Sequence, residues 1–288
     1  MRIEGGKRPT VCWHTDARYR ILPTLPPGRP AAESTRALSA QRIVRDWPLE
    51  GRQPLLESTP YFAGRQLAYA PDDVALRGAF ALRYSVYCLE CRFLDPQVYP
   101  QGLETDGDDP NSAHFGAYNQ GRELVGYVRL VSPDAHDRMP WESRCTTLRE
   151  GAKLPPRAQS SEISRLMVRE DYRRRRGDML SGVALPDTEA HAWRDRRSTA
   201  PQILLTLYRQ MYLYSLAQGI RYWYAAMERP LARSLKRLHF GFHQIGEQAD
   251  YFGLVAPYLA DLRELEGQLA VARPDLLGWM QGAEDATL

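Results

Sequence analysis

The run Ser161-Glu162-Ile163-Ser164-Arg165-Leu166-Met167-Val168 constrains the fold of this chain more than any other segment. Its apolar residues fit a strand inside a sheet, yet it carries a carboxylate and a guanidinium. Strict alternation sends Ile163, Arg165 and Met167 to one face, and Glu162, Ser164, Leu166 and Val168 to the other. Glu162 and Arg165 then lie on opposite faces unless a bulge intervenes. Each needs its own partner, because burying an unpaired ionised group is costly. Structural ion pairs at a strand edge account for this pattern. So does a cleft in which Glu162 handles a proton while Arg165 holds an anionic or carbonyl group, directly or by fixing the shell around it.

The flanking segments order themselves around this strand. A short strand near 65–70 precedes a helix capped by Asp72 or Asp73, with Leu76, Phe80, Tyr84, Tyr87 and Cys91 at helical spacing. A polar loop over 96–112 leads to a hairpin, 113–119 and 123–131, turned at Asn119-Gln120-Gly121. A long loop, 132–159, enters the Glu-Ile-Ser-Arg strand. Further on come a helix from Pro201 to Gln218 stopped by Gly219, an aromatic strand at 221–227 and a helix from Pro230 to Gly241. Closing strands are expected at 242–246 and 251–256, and a last helix at 258–270. Prolines and arginines break up residues 1–60, which read as an irregular arm with one short helix near 39–46. The domain spans 61–275, and 276–288 form a loose tail.

The net charge of +3 is too small to suggest nucleic acid. Cys12, Cys88, Cys91 and Cys145 make no disulfide framework. The Cys88/Cys91 pair lacks a second pair or a nearby His, so no metal site is expected. No apolar run approaches membrane-spanning length, and Lys7 and Arg8 are followed by no apolar core. A cytoplasmic protein is expected, with peripheral membrane contact left open.

The order of hairpin, Glu-Ile-Ser-Arg strand, helix, strand, helix and strand resembles the acyltransferase fold of the GCN5-related N-acetyltransferases (GNAT). This implies an α/β (α+β) domain with a central mixed, largely antiparallel sheet flanked by helices. The Glu-Ile-Ser-Arg strand is similar to that of the autoinducer synthases and the long-chain N-acyl amino acid synthases. The likeness is closest to the acyltransferases associated with PEP-CTERM/exosortase systems. It covers roughly 65–257 and is most specific in that strand and in Met227-Glu228-Arg229-Pro230. It implies that Glu162 and Arg165 are catalytic. Arg83, Tyr87 and Phe93 match a family Arg–aromatic–Trp spacing on the first helix, with Phe in place of Trp. Glu104 and Asp106 fall where the family has paired acids, able to bind Arg83, Arg129 or the acceptor's ammonium. Arg129 matches a strand arginine.

The phosphate-binding pattern of coenzyme-A enzymes is incomplete at Arg174-Arg175-Arg176-Gly177-Asp178-Met179, where the last slot is not filled. A basic surface of Arg173, Arg174, Arg175, Arg176, Arg194, Arg196 and Arg197 suits an acidic acyl-carrier protein as donor, with acyl-coenzyme A less favoured. Tyr208, Met211, Tyr222 and Trp223 are candidates for an acyl pocket, although core packing explains them equally well. The expected activity is transfer of a fatty acyl group from acyl-carrier protein to the amine of a small acceptor such as an amino acid, with no bound cofactor and no nucleic-acid partner. The alternatives are an acyl-homoserine-lactone synthase using S-adenosylmethionine, an ordinary coenzyme-A-dependent acetyltransferase, and a non-catalytic basic binding module.

Overall fold

The computed structural model describes residues 62–70, 72–136, 138–172, 199–250 and 253–282. Eight strands form one sheet: β1 (Phe62–Leu67), β2 (Ser112–Asn119), β3 (Leu124–Val131), β4 (Ser160–Val168), β5 (Tyr222–Glu228), β6 (His243–Gln244), β7 (Ala249–Asp250) and β8 (Leu254–Asp261). Their order is β1-β2-β3-β4-β5-β8-β6, with β7 also on β8. All pairings are antiparallel except β4 with β5. The helices are α1 (Val74–Tyr84), α2 (Thr199–Gln218), α3 (Arg229–Arg237), α4 (Leu262–Ala272) and α5 (Pro274–Met280).

Local chemistry sets the helix ends. The Asp73 carboxylate accepts from the Leu76 N–H at 2.8 Å and starts α1. Gly219, at φ 72°, ends α2 in a conformation that suits glycine. Pro230 occupies the first turn of α3, where its missing N–H costs nothing.

Side-chain parity separates the two faces of the sheet. Val128, Leu130, Ile163, Leu166, Trp223, Ala225 and Met227 pack with α2, α3, α4 and α5 into the main core. On the other face, Tyr127 and Met167 pack under α1 with Leu82, Val86 and Tyr87. Further along that second face, Tyr224, Ala226 and Val255 pack under the long loop through Met139, Trp141 and Cys145. The second face thus carries two small apolar cores, with β4 and its charges between them.

Two expectations at the C-terminal end are corrected. Residues 258–261 belong to β8, and the helix begins only after Asp261, whose carboxylate accepts from the Arg263 N–H at 2.9 Å. Tyr258 stands four residues before Leu262 and so extends the helical spacing of Leu262, Leu265 and Leu269 by accident. The tail expected from residue 276 is helix α5 as far as Met280, and it buries Leu276, Trp279 and Met280. A seven-residue helix is too short to announce itself by periodicity, and here tertiary packing stabilises it. The arm 1–60, the arginines at 173–176 and those at 194, 196 and 197 lie outside the described residues.

Candidate active site

Arg165 adopts φ 55°, and the β3–β4 register slips at this point: Tyr127 pairs with Met167, whereas Arg129 pairs with Ser164. Three residues of β4 therefore span two of β3, which is a bulge. The extra residue inverts the alternation. Ile163, Leu166 and Val168 face the main core, while Met167 faces α1 with Tyr127. Arg165 reaches the acids beneath α1, and Glu162 contacts the long loop on that same face. The strict alternation expected for this strand is corrected accordingly: Glu162 and Arg165 share a face.

Sharing a face does not make them one cluster. Arg165 belongs to a network of three guanidiniums, Arg83, Arg129 and Arg165, each 0% exposed. Arg83 donates to Glu104, and to Asp109 at 2.5 Å. Arg129 donates to Asp106 at 2.6 and 2.9 Å and to Asp109 at 2.5 Å. Arg165 donates to Glu104 at 2.8 and 3.2 Å and to Asp106 at 2.9 Å. Its guanidinium also sits 4.9 Å from the centre of the Tyr87 ring. Three cations are thus laced to three acids, an arrangement that offsets the desolvation of each. Burial alone would raise the Glu104 carboxyl, but Arg165 and Arg83 outweigh it and hold it down at about 2. Burial is likewise outweighed at Asp106 by Arg129, Arg165 and Arg83, and its carboxyl lies far below the ordinary range.

Neighbouring aromatics brace this network. Tyr87 lies in the π-type turn Ser85–Glu90 that continues α1, and its ring is 6.3 Å from that of Phe93. His114 lies 3.0 Å from the Asp109 carbonyl and 2.7 Å from the Tyr127 hydroxyl. A carbonyl only accepts, so Nε2 carries the hydrogen and Nδ1 accepts from Tyr127. Burial lowers the His114 pKa to about 4 and keeps the ring neutral.

Glu162 stands in a different environment. It is 1% exposed, and Oε2 accepts the Trp141 backbone N–H at 2.8 Å. Burial pushes its pKa up to about 8, against the opposing pull of that N–H and of Arg129. Around it, the Trp141 ring stacks on Tyr224 with centroids 5.2 Å apart and 17° between planes. Arg157 lies with its Cζ 5.9 Å from the Tyr224 ring and donates to Glu142 at 2.5 Å. The nearby Cys145 thiol is pushed up by burial to about 11 and stays protonated at neutral pH.

Glu162 also marks the end of a seam. The parallel ladder between β4 and β5 pairs Ser160 with Tyr222, Ser161 with Trp223 and Glu162 with Tyr224, and goes no further. β4 continues to Val168 and β5 to Glu228, so the two strands part just beyond Glu162. Parted parallel strands leave backbone donors and acceptors facing each other across a gap, where an extended substrate can pair. A carboxylate with raised proton affinity at the head of such a gap can take a proton from an amine held there.

The structure thus brings Arg83, Tyr87, Phe93, Glu104, Asp106, Arg129 and Arg165 together, with Glu162 beside rather than within their network. Tyr208, Met211 and Trp223 pack in the main core on the opposite face of the sheet. Tyr222 is half-buried, and its hydroxyl accepts from Arg263 at 2.5 Å. Asp109 is the acid that joins Arg83 to Arg129, and sequence reading did not single it out. It also missed Trp141 and Arg157, and gave Tyr224 only as part of the aromatic strand that could line an acyl chain. The first two lie in a long irregular loop, where no periodicity reports which side chain turns inward. Among the described residues, no group of His, Cys, Asp and Glu is arranged to hold a metal ion.

Residues 82–182, about a third of the chain, match the family described as "Acetyltransferase (GNAT) domain". No curated protein matches the chain. Among solved structures, TofI in a ternary complex with an inhibitor and MTA is 14% identical, covering 74% of this chain and 99% of that one, with a TM-score of 0.52. BjaI, a coenzyme-A-dependent acyl-homoserine lactone synthase with MTA, is 18% identical, covering 77% and 98%, with a TM-score of 0.51. FeeM, an N-acyl amino acid synthase from uncultured soil microbes, is 18% identical, covering 72% and 94%, with a TM-score of 0.44. At these identities the likeness to TofI and BjaI is one of fold, and with the family match it is the GNAT fold.

Proposed function

We propose that this chain is an N-acyltransferase that moves a fatty acyl group from acyl-carrier protein to the amine of a small acceptor such as an amino acid. The observation that carries this reading is Glu162: a buried carboxylate, raised to about 8, at the point where β4 and β5 part. On this reading the donor's thioester lies in the gap. Glu162 takes a proton from the acceptor's ammonium, directly or through a water. The freed amine attacks the thioester carbonyl, the C–N bond forms, the C–S bond breaks, and the second proton shed by the new amide nitrogen goes to the departing thiolate. No covalent enzyme intermediate is needed, and alignment of the two substrates supplies several kcal/mol of the acceleration. Arg165 acts by fixing the shell, its charge being met by Glu104 and Asp106.

The carrier-protein donor rests on the basic residues expected at 173–176, 194, 196 and 197. Arg229, Arg233, Lys236 and Arg237 support it, because all are exposed on α3, which leaves β5 at the parted end of the seam. The acyl chain would pass through the gap toward Tyr208, Met211 and Trp223. The same reading keeps the likeness to the PEP-CTERM/exosortase-associated enzymes and a cytoplasmic location. No helix among the described residues is long and apolar enough to cross a membrane.

The test is mass spectrometry of reactions containing the purified chain, acyl-carrier protein or coenzyme A loaded with acetyl to palmitoyl groups, and a mixture of amino acids. N-acyl products from long-chain carrier-protein donors are expected, with reversal of the basic residues raising the KM for that donor. A preference for acetyl, or equal use of coenzyme A with silent reversals, overturns the donor assignment. A homoserine lactone product from S-adenosylmethionine changes the acceptor and keeps acyl transfer. No product with any donor overturns the reading.

A further inference from the structure

Three polar atoms beside Glu162 are buried and have no hydrogen-bond partner: Trp141 Nε1, Tyr224 Oη and Arg157 Nη1. Trp141 and Tyr224 are 3% and 0% exposed. Buried donors without acceptors are rare in folded proteins, since each forfeits its hydration. Here they gather on one patch. The two rings are stacked, Arg157 lies beside Tyr224, and the Trp141 backbone holds Glu162. Burial pushes the Tyr224 hydroxyl up to about 12, so it stays a donor. Glu142 meets Arg157 through Nη2, which leaves Nη1 without an acceptor.

We propose that Arg157, with Trp141 Nε1 and Tyr224 Oη, forms a subsite for a carboxylate on the acceptor. This rests on the acyl-transfer reading and narrows it: the acceptor is a zwitterion whose ammonium faces Glu162 and whose carboxylate faces Arg157. Two indole and phenol donors and a guanidinium match the lone pairs and the charge of a carboxylate. A neutral amine would leave all three unsatisfied, so the site selects against it by the cost of burying unpaired donors. The developing oxyanion of the thioester is the competing occupant of these donors. It exists only in the transition state, whereas a carboxylate occupies them in the bound ground state as well.

The experiment compares free L-amino acids with their uncharged amides, in acyl transfer and in thermal shift without donor. Expected for the wild type is a preference for the acids of roughly 10–100-fold in kcat/KM, the range for a hydrogen bond to a charged group. Arg157→Gln should raise the acceptor KM by that factor, spare kcat and abolish the preference. Arg157→Lys should restore part of it. A thermal shift seen with acids, absent with amides and lost in Arg157→Gln, supports the subsite even if no acyl transfer occurs, and in that event it is the acyl-transfer reading that falls. Equal use of acids and amides by the wild type overturns the subsite. So does an Arg157→Gln variant that loses kcat at unchanged acceptor KM, which would give these donors to the oxyanion.

Discussion

Two buried charged regions lie on the same face of β4, and they hold protons in opposite ways. Around Arg165, three acids meet three guanidiniums, and Glu104 is held at about 2. Around Glu162, one carboxylate sits among aromatic rings and accepts a backbone N–H, and it is raised to about 8. In the first region Glu104 and Asp106 stay charged at any physiological pH, and on the proposed reading its ions serve architecture. The second sits near its titration point, as a group that exchanges protons must. Burial is common to both regions. What separates them is whether guanidiniums meet the carboxylates directly.

Glu162→Gln should break the comparison most sharply. It keeps the shape and an acceptor for the Trp141 N–H, yet removes the proposed base. Turnover is expected to fall by about 10²–10⁴-fold, while circular dichroism and melting stay near wild type. An active Glu162→Gln variant would return Glu162 to the structural side.

Arg165→Ala should do the reverse. It leaves three buried acids to two guanidiniums, Arg83 and Arg129, and is expected to cost about 3–5 kcal/mol in denaturant unfolding. A stable but inactive Arg165→Ala would place the guanidinium in the chemistry instead.

The pH responses should differ in sign. Glu104 is lowered from 4.5 to about 2, so its stabilising contribution is present above 4.5 and lost as pH falls through about 2. Glu162 is raised from 4.5 to about 8, so its stabilising contribution is present below 4.5 and lost as pH rises through about 8. If Glu162 is the base proposed above, activity needs its carboxylate, and kcat/KM should rise up to about pH 8 and then level. A pH–rate profile without that inflection, or one unchanged in Glu162→Gln, would remove the contrast.

The smallest effect is expected for Tyr224→Phe. It deletes a buried hydroxyl that has no partner, so the melting temperature should hold or rise slightly. A clear loss of stability would show that the hydroxyl is satisfied in solution.

Much of this contrast was legible in the chain and part was not. The hairpin, the Asp73 cap, the Gly219 stop and the proline start of α3 are local signals, and local signals survive in sequence. The acidic loop was legible as a partner for Arg83 and Arg129 only through the family resemblance, which places paired acids there. Its third contributor, Asp109, was not distinguishable from Asp108, whose side chain is 42% exposed. The grouping of Glu162 with Arg165 was half right. They share a face only through the bulge, and no residue type announces one here, since a non-glycine in a left-handed conformation has no sequence mark. Trp141, Arg157 and Tyr224 meet through the loop and β5, and such contacts are set by tertiary folding alone.

The left-handed backbone at Arg165 makes length, rather than composition, the vulnerable property of this strand. Every position upstream of the bulge owes its inward or outward orientation to one extra residue, much as a reading frame owes its meaning to one base. Point changes in β4 alter one side chain at a time. Removing one residue between Glu162 and Arg165 would turn Glu162 into the oily side of the sheet and bring Ser161 out in its place. A left-handed arginine carries a backbone penalty of roughly 1–2 kcal/mol, which its bonds to Glu104 and Asp106 offset. Insertions and deletions here should therefore be far less tolerated than substitutions, and a deletion scan would find its sharpest boundary at this residue.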